Sequence, residues 1–491
     1  MIKVYLDWNV MSGMKNNYFP DLTEIISNRE KFLLVYSTSH IGDIFASIKN
    51  NSAEEQKLVR EDLEFITSLT DNLCLGNDSK EVTLSICDPE ELLDDRISEA
   101  PLFKNLSLDS LFDSMEADNP MYGIGDAMKN LIASIPLDSA FNDAYQNPES
   151  AKMLEELFPG LKDDLTMNGF FKSFGQMLDN MNEGEGYKDL RNIVQQVGIS
   201  NGHFSQDKKP FDVIENAYKK KGMEIFDVGQ YFDKTKNAPE WFNDIINEYV
   251  SLDMHGFKAD KIKVTDKEKN TFRNTTEDAF HSAFASRCDF YITNDDKNYH
   301  KTKAVFQKLD IRTKVLKPND FVQYNNSFLT ANTFDEHFES LIDEYKKTDN
   351  YLEQKYENGE SFGFVKLTDQ YFFNFFNKLL VPHPQSNGAL FILSKESPTK
   401  KHIIHIWEVE GMIKLFADKF GPDIDGKSYY EEGEISSEED WMGRTWNLSV
   451  GQIDIRRTRG WFQMYFYLSQ NPEDYFENTS CLTLTVSDLY N

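Results

Sequence analysis

Cysteine is scarce in this chain. Four cysteines occur among 491 residues, and none of their spacings is typical of metal ligands: Cys74, Cys87, Cys288 and Cys481. They are too few for a disulfide framework in a chain of this size, so a disulfide-stabilised scaffold is excluded and a reducing compartment is expected. The sequence also lacks an apolar run approaching ~18 residues, and no charged segment leads into an apolar one before the first predicted strand. We therefore expect a cytoplasmic protein with neither a membrane span nor a signal peptide.

An excess of positive charge is also missing. Lys and Arg number 52 against 82 Asp and Glu, which gives a formal net charge of -30 at pH 7. The phosphate backbone supplies most non-specific affinity for nucleic acids, so this charge argues against indiscriminate binding to them. A nucleic-acid enzyme of this composition must rely on bound metal and a local basic patch.

One candidate basic patch follows Asp295. It consists of Lys297, His300, Lys301, Lys303, Lys308, Arg312, Lys314 and Lys317. Within it, Lys297, Lys301 and Lys303 are the candidate contacts to a substrate phosphate. A solvated helix face explains the same residues equally well.

Two aspartates directly follow predicted strands. Asp7 follows the apolar segment 2–6, and Asp295 follows the segment 289–293, with Asp296 beside it. A carboxylate at the end of a buried strand is costly to desolvate unless it is paired or bound to a metal ion. The alternative for Asp7 is a helix N-cap, and for Asp296 a solvated loop residue.

Two further aspartates lie on predicted helices. Asp43 comes just past the strand predicted at 32–36, on a helix for which Ser39 is a plausible N-cap. Asp278 opens a helix that leads to the strand before Asp295. Both have structural alternatives, because acids favour the first turn of a helix and Thr275 begins a possible capping box.

The four aspartates predict a metal site. Parallel strands with helical crossovers place their carboxyl ends along one crevice, where ligands bind. Carboxylate oxygens there suit Mg²⁺ or Mn²⁺, and such clusters suit phosphodiester hydrolysis. Four neighbouring residues are candidate helpers: Asn9 and Thr293 as hydrogen-bonding partners of a carboxylate or the attacking water, and His40 and His281 as phosphate contacts. For His40, packing against the sheet is the alternative.

Five segments in this order resemble the motifs of PIN-domain nucleases. They are Leu6-Asp7-Trp8-Asn9, Tyr36 to Asp43, Asp278-Ala279-Phe280-His281, Cys288 to Asp295, and Lys317-Pro318-Asn319-Asp320-Phe321. The resemblance covers residues 1–76 and 250–325. It implies a metal-dependent endonuclease, often acting on RNA, that leaves 5′-phosphate and 3′-hydroxyl ends. The family more often has Glu in the region of Asp43, and Glu54 and Glu55 are alternative ligands farther along the chain.

The predicted fold is α/β, a PIN-like Rossmannoid parallel sheet interrupted by a helical insertion and followed by a separate α+β domain of unknown function. The boundaries are 1–76 and 251–325 for the two parts of the nuclease domain, 77–250 for the insertion and 326–491 for the last domain. The predicted elements of the last domain include a helix over 334–356 and a hairpin around 456–460.

The predicted function is a divalent-metal-dependent endonuclease, with RNA as the favoured substrate. A haloacid-dehalogenase-like phosphatase is a poor second, because that class needs a general acid where this chain has Asn9. A catalytically inactive PIN-like protein that serves as an interaction or regulatory module is the main alternative. A further hypothesis combines the nuclease with the regulatory module. In it, the chain is a toxin or host-defence nuclease that is restrained by its own domains or by a protein partner bound to the last domain.

Overall fold

The computed structural model describes residues 1–48, 50, 52–77, 81–104, 209–222, 238–259, 271–347, 349–355, 359–383, 389–396, 406–431, 433–435, 440–448, 451–458 and 461–468, with scattered positions between 145 and 204. The chain divides into two compact units. The first unit comprises residues 1–36, 285–294 and 310–491, and the second comprises 37–284 and 295–309.

The elements of the described residues are numbered here in chain order. The strands are β1 (Ile2–Leu6), β2 (Phe32–Ser37), β3 (Leu73–Asn77), β4 (Val82–Ile86), β5 (Phe290–Ile292), β6 (Lys314–Leu316), β7 (Leu352–Lys355), β8 (Ser361–Phe372), β9 (Phe376–Pro382), β10 (Ala389–Ser394), β11 (Trp441–Asn447), β12 (Gly451–Thr458) and β13 (Trp461–Leu468). The helices are α1 (Trp8–Lys15), α2 (Pro20–Ile26), α3 (Thr38–Ser47), α4 (Ala53–Thr70), α5 (Pro89–Lys104), α6 (Pro210–Lys221), α7 (Glu240–Met254), α8 (Thr271–Ala285), α9 (Asp296–Lys308), α10 (Pro318–Phe328), α11 (Phe334–Lys346) and α12 (Ile406–Phe420).

A parallel sheet in the first unit has the strand order β2–β1–β5–β6. Every residue of β1, β2 and β5 is buried, as expected for parallel strands that are covered on both faces. Leu6 pairs with Ile292, and the amide of Asp7 donates to the carbonyl of Ile292 at 2.9 Å. The carboxyl ends of β1 and β5 are therefore neighbours, and the α/β class is confirmed.

An antiparallel sheet in the same unit has the order β11–β12–β13–β10–β9–β8–β7. One face packs against α11 and α12 through a core that is rich in phenylalanine, which includes Phe338, Phe416, Phe462 and Phe466. This core accounts for much of the aromatic content of the last third of the sequence. The segment predicted to be an α+β domain thus contains this antiparallel sheet with helices α11 and α12, and it belongs to the same unit as β1 and β2.

A buried network of charges joins the two sheets within the first unit. Lys395 donates to Asp289 at 2.9 Å and to Glu408 at 3.0 Å, and Lys3 of β1 pairs with Glu408 at 3.0 Å. All four side chains are at least nine-tenths buried. Burial alone would lower the pKa of Lys395, but the two carboxylates outweigh it and raise that pKa. The C-terminal segment and β1 thus share one buried ion network.

Helices dominate the described part of the second unit. Ser37 is the N-cap of helix α3, and its side chain accepts from the Ser39 amide while His40 accepts from the Ser37 amide. The predicted N-cap at Ser39 was therefore two residues too late. Helix α4 begins with a capping box of Ser52 and Glu55, in which each side chain accepts from the other residue's amide.

Three predicted elements differ from the structure. The antiparallel hairpin β3–β4 occupies 73–86, partly inside the segment predicted to be helical. The helix predicted over 334–356 ends at Lys346, and β7 follows it. The arginines placed in the 456–460 turn lie largely in β12, which pairs with β13 as the predicted hairpin requires. A strand predicted at 482–486 lies outside the described residues.

Candidate functional site

Asp7 lies directly after β1 and is 3% exposed. It occupies the N-cap position of α1, but its side chain makes no capping hydrogen bond, so the cap alternative does not account for it. Its Oδ2 accepts instead from Thr293 Oγ1 at 2.6 Å, from Asn9 Nδ2 at 2.7 Å and from the Tyr291 hydroxyl at 3.2 Å. These donors offset the loss of hydration of a buried carboxylate and fix its orientation.

Asn9 connects the ends of β1 and β5. Its amide nitrogen donates to Asp7, and its Oδ1 accepts from the backbone amide of Asn294 at 2.9 Å. Because Thr293 and Asn294 follow β5 directly, the carboxylate is held by groups from two adjacent strand ends. Asp7, Asn9 and Thr293 are the predicted site residues that the first unit brings together.

In the second unit, Asp43 of α3 pairs with His281 of α8. His281 Nε2 donates to Asp43 Oδ2 at 2.9 Å, and the exposed fractions of the two side chains are 1% and 28% respectively. The Asp43 carboxylate is thus partly accessible, while its partner is enclosed. The arrangement fixes the direction of Asp43, as a buried hydrogen-bond partner fixes a metal ligand in known sites.

The two histidines are not placed to touch a substrate. His40 is fully buried, accepts from the Ser37 amide through Nδ1 at 3.1 Å, and packs edge-on against His281 at 4.7 Å. Both predictions of a phosphate contact are wrong, because neither ring has an exposed edge. Packing, the alternative considered for His40, is its observed role.

Asp278 does not open a helix. Helix α8 begins at Thr271, so Asp278 lies in its middle, half-buried, and the capping box expected at Thr275 is absent. The prediction failed because the polar run before Asp278 continues the helix instead of starting it. Whether Asp278 binds metal stays a prediction.

Glu277 is an acid that the sequence pattern had not singled out. It is 7% exposed, pairs with Arg96 of α5, and lies against Gly42, where an added Cβ would meet a Glu277 carboxylate oxygen at 2.6 Å. Glu277 precedes His281 by four residues and so shares its helix face. That spacing is the sequence signal that would have favoured Glu277 over Asp278 as the acid on the His281 face of the helix.

Asp295 has a structural role in its own helix. Its Oδ1 accepts from the amides of Lys297 and Asn298 at 2.7 and 2.8 Å, which caps α9. Asp295 and Asp296 are both exposed at the start of that helix. Capping uses one carboxylate oxygen of Asp295, and metal binding by either residue stays a prediction.

Lys301 is a core residue, and its predicted contact with a substrate phosphate is wrong. Its side chain is fully buried and donates to Asp253 Oδ1 at 2.6 Å, while Arg191 pairs with the other oxygen of Asp253. Helical spacing puts Lys301 on the same inward face as Asn298 and Val305. Of the two other predicted lysines of α9, Lys303 is exposed and lies over the Tyr299 ring at 4.9 Å, and Lys297 is half-buried.

Cys288 offers no alternative nucleophile. It is fully buried, and burial raises the pKa of its thiol to about 12. The thiol is therefore protonated at neutral pH and is not a reactive nucleophile.

No protein-family model, curated protein or solved structure matches this chain. Among the described helices, none is both long and apolar enough to cross a membrane.

Proposed function

We propose that this chain is a divalent-metal-dependent endonuclease acting on RNA, with Asp7 as a ligand of Mg²⁺ or Mn²⁺. One observation carries the proposal: Asp7 is a buried carboxylate directly after a parallel strand, and its Oδ2 accepts from Thr293, Asn9 and Tyr291. Ligands of open parallel sheets bind beyond the carboxyl ends of the strands. A carboxylate that is oriented this firmly suits a metal ligand.

The donor set fits a hard divalent cation. The candidate ligands are carboxylates, namely Asp7, Asp43, Asp278, Asp295 and Asp296, and none is a thiolate. Oxygen ligands favour Mg²⁺ and Mn²⁺ over softer ions. In the second unit Asp43 is the best supported, because its carboxylate is partly exposed and His281 holds it.

Bound Mg²⁺ or Mn²⁺ would lower the pKa of a coordinated water and stabilise charge on the leaving oxygen. The residues of the chain would bind the ion and orient the carboxylates that hold it. Thr293 and Asn9 fix Asp7, and His281 fixes Asp43. Asn9 is the exposed member of the group around Asp7.

RNA as substrate rests on the resemblance to PIN-domain nucleases. That resemblance implies hydrolysis to 5′-phosphate and 3′-hydroxyl ends. The overall charge of -30 agrees with a nuclease whose contact with phosphate depends on bound cations rather than on basic surface.

The test is cleavage of labelled single-stranded RNA and DNA by the full chain with Mg²⁺, with Mn²⁺ and with chelator. We expect metal-dependent cutting of RNA, 5′-phosphate products, and loss of cutting in Asp7→Asn. Asp320→Asn is the matched control, because Asp320 is exposed on α10 and outside the proposed site. It should cut like the wild type.

Mn²⁺ binding, measured by electron paramagnetic resonance, distinguishes a chain that does not bind the metal from one that binds the metal but does not cleave RNA. Loss of Mn²⁺ affinity in Asp7→Asn supports the ligand assignment, and unchanged affinity overturns it. Tight binding without cleavage of either polymer would overturn the enzyme and favour a regulatory module. Asp43→Asn, measured in the same way, tests the candidate ligand of the second unit separately.

A further inference from the structure

The antiparallel sheet of the first unit has one covered edge and one open edge. At the β11 edge, the amide of Ile424 donates to the carbonyl of Thr445 at 3.0 Å, and a bulge interrupts the strand between Trp441 and Arg444. At the β7 edge, the backbone hydrogen bonds among the described residues go to β8 only. The unpaired N–H and C=O groups of such an edge are a template for a further strand.

Exposed apolar side chains gather at this open edge. Leu352 of β7 is 66% exposed, and Leu367 and Phe364 of β8 are 49% and 40% exposed. Leu352 lies opposite Val365, so side-chain alternation puts Leu352 and Leu367 on one face of the sheet and Phe364 on the other. A strand added here would therefore bury apolar area on both faces as well as pair its backbone.

The two charged side chains of β7 give this edge little protection. Charges on an edge strand normally discourage its pairing with another strand. Here Lys355 pairs with Glu353 at 3.0 Å, so the two charges offset each other. An uncharged incoming strand therefore meets no net charge on β7.

Segment 481–487 has the sequence pattern of such an incoming strand. It reads Cys-Leu-Thr-Leu-Thr-Val-Ser, in which apolar residues alternate with cysteine and threonine. Threonine and valine favour strands, and the chain carries no charged residue from Asn478 to Ser487. The segment includes the strand predicted at 482–486 and lies outside the described residues.

Residues 469–480 are long enough to carry the segment to the open edge. They follow β13, and the position beyond β7 is five strand spacings away, roughly 24 Å. A connection of this length spans up to ~40 Å. Strands β13 and β7 run in the same direction, because four antiparallel pairings separate them. A connection across the end at which β13 stops therefore brings the segment in antiparallel to β7.

We propose that segment 481–487 pairs with the open edge of β7 in the same chain, as a further antiparallel strand. Its alternating apolar residues then cover Leu352 and Leu367, and its threonines lie on the side of Phe364. Attachment to the same chain favours this occupant over a separate peptide, because a flexible linker of this kind gives a roughly millimolar effective concentration. The inference goes beyond the proposed function, since it concerns none of the candidate metal ligands.

Cross-linking to Cys481 tests the pairing in the full chain. The background is Cys87→Ser, because Cys87 is half-buried whereas Cys74 and Cys288 are buried. Lys355→Cys adds a thiol at the end of β7 where the antiparallel segment enters. A short bismaleimide should join Cys481 to position 355 within one chain, as identified by mass spectrometry of the peptides.

Met442→Cys is the matched control. Met442 is 94% exposed on β11, which lies two strand spacings from β13 and is therefore nearer to it than β7 is. A segment without a fixed partner would reach Met442 at least as readily as position 355. We expect a high yield of cross-linked chain for Lys355→Cys and little for Met442→Cys. Equal yields, or no cross-link at position 355, would overturn the proposal, and cross-links between chains would overturn it in favour of a second copy.

Hydrogen exchange at β7 is the second measurement. Leu484→Pro removes an amide donor from the middle of the segment, so the amides of residues 352–355 should exchange on the order of tenfold faster. Asn478→Pro, in the connection, is the control and should leave exchange at β7 unchanged. Melting temperatures check that both variants fold. Unchanged exchange in Leu484→Pro would contradict the pairing.

Discussion

Thr293 Oγ1 donates to Asp7 Oδ2 at 2.6 Å across the ends of β5 and β1. The two residues are 286 positions apart in the chain, and the parallel pairing of Leu6 with Ile292 brings them together. A hydroxyl at the end of one strand thereby orients the carboxylate at the end of its neighbour.

Thr293→Val removes the hydroxyl while it keeps the shape of the side chain. Asp7 retains two donors, so we expect a loss of about 1 kcal/mol in the free energy of unfolding. RNA cleavage should fall by about 10- to 100-fold, because the ligand loses its orientation. Thr293→Ser keeps the hydroxyl and should restore most of the rate in the same assay. Equal rates for Val and Ser would contradict the positioning role.

His281→Leu removes the donor to Asp43 and should weaken Mn²⁺ binding. His281→Gln keeps an N–H donor and should retain more affinity, although its geometry differs. Isothermal titration of Mn²⁺ into each variant measures the difference. If both substitutions reduce affinity equally, the histidine serves packing alone.

Lys395→Met should strongly destabilise the first unit. The substitution leaves the buried carboxylates of Asp289 and Glu408 with one compensating charge fewer. Breaking a buried ion pair in this way lowers the free energy of unfolding by about 3–5 kcal/mol. Lys414→Met is the matched control, because Lys414 pairs with Glu30 at 2.9 Å on the surface. Its substitution should leave the free energy of unfolding almost unchanged, because water and salt screen an exposed ion pair. Urea unfolding of both variants tests the contrast.

His337 should make stability depend on pH. Burial, and then the nearby charge of Lys31, lowers the pKa of His337 to about 3, so the ring is neutral in the folded state. In the unfolded chain it takes up a proton below about pH 6.5. Its contribution is therefore fully present above that pH and is lost as the pH falls from about 6.5 towards 3. The melting temperature of His337→Gln should fall less steeply over this window than that of the wild type, and parallel curves would contradict the prediction.

Gly42→Ala should destabilise the second unit. The new Cβ would lie 2.6 Å from a carboxylate oxygen of Glu277, which would have to move. The ion pair with Arg96 keeps the Glu277 side chain from moving away freely, so we expect an overpacking cost of about 1–3 kcal/mol that outweighs the better helix propensity of alanine. Gly76→Ala is the control, since nothing lies within 4 Å of its added Cβ. Thermal unfolding should give a lower melting temperature for Gly42→Ala than for Gly76→Ala. Equal melting temperatures would show that the Glu277 side chain moves aside without loss of stability.

Much of the fold follows from local pattern. Continuous apolar runs predict β1 and β2, because a strand covered on both faces has no polar side. The break at Pro20 separates α1 from α2, since proline fits the first turn of a helix and not its interior. Period-two alternation predicts the β12–β13 hairpin.

Local pattern was misleading where a residue could serve two purposes. Polar residues before Asp278 suited a helix start, yet they continue α8 from Thr271. Lys301 suited a basic surface, yet its spacing from Asn298 turns it inward to a buried aspartate. In both cases the choice depended on partners distant in sequence, which local preference does not encode.

By itself, the sequence determined the class of each sheet and the end of the strand that Asp7 follows, because both depend on side-chain periodicity over five to eight residues. Only the tertiary structure decided which groups meet. Thr293 reaches Asp7, Lys395 reaches Asp289 and Glu408, and His281 reaches Asp43 through strand pairing and helix packing. A hydrogen bond or an ion pair depends on distances of a few ångströms, and those are set only when segments hundreds of residues apart pack together.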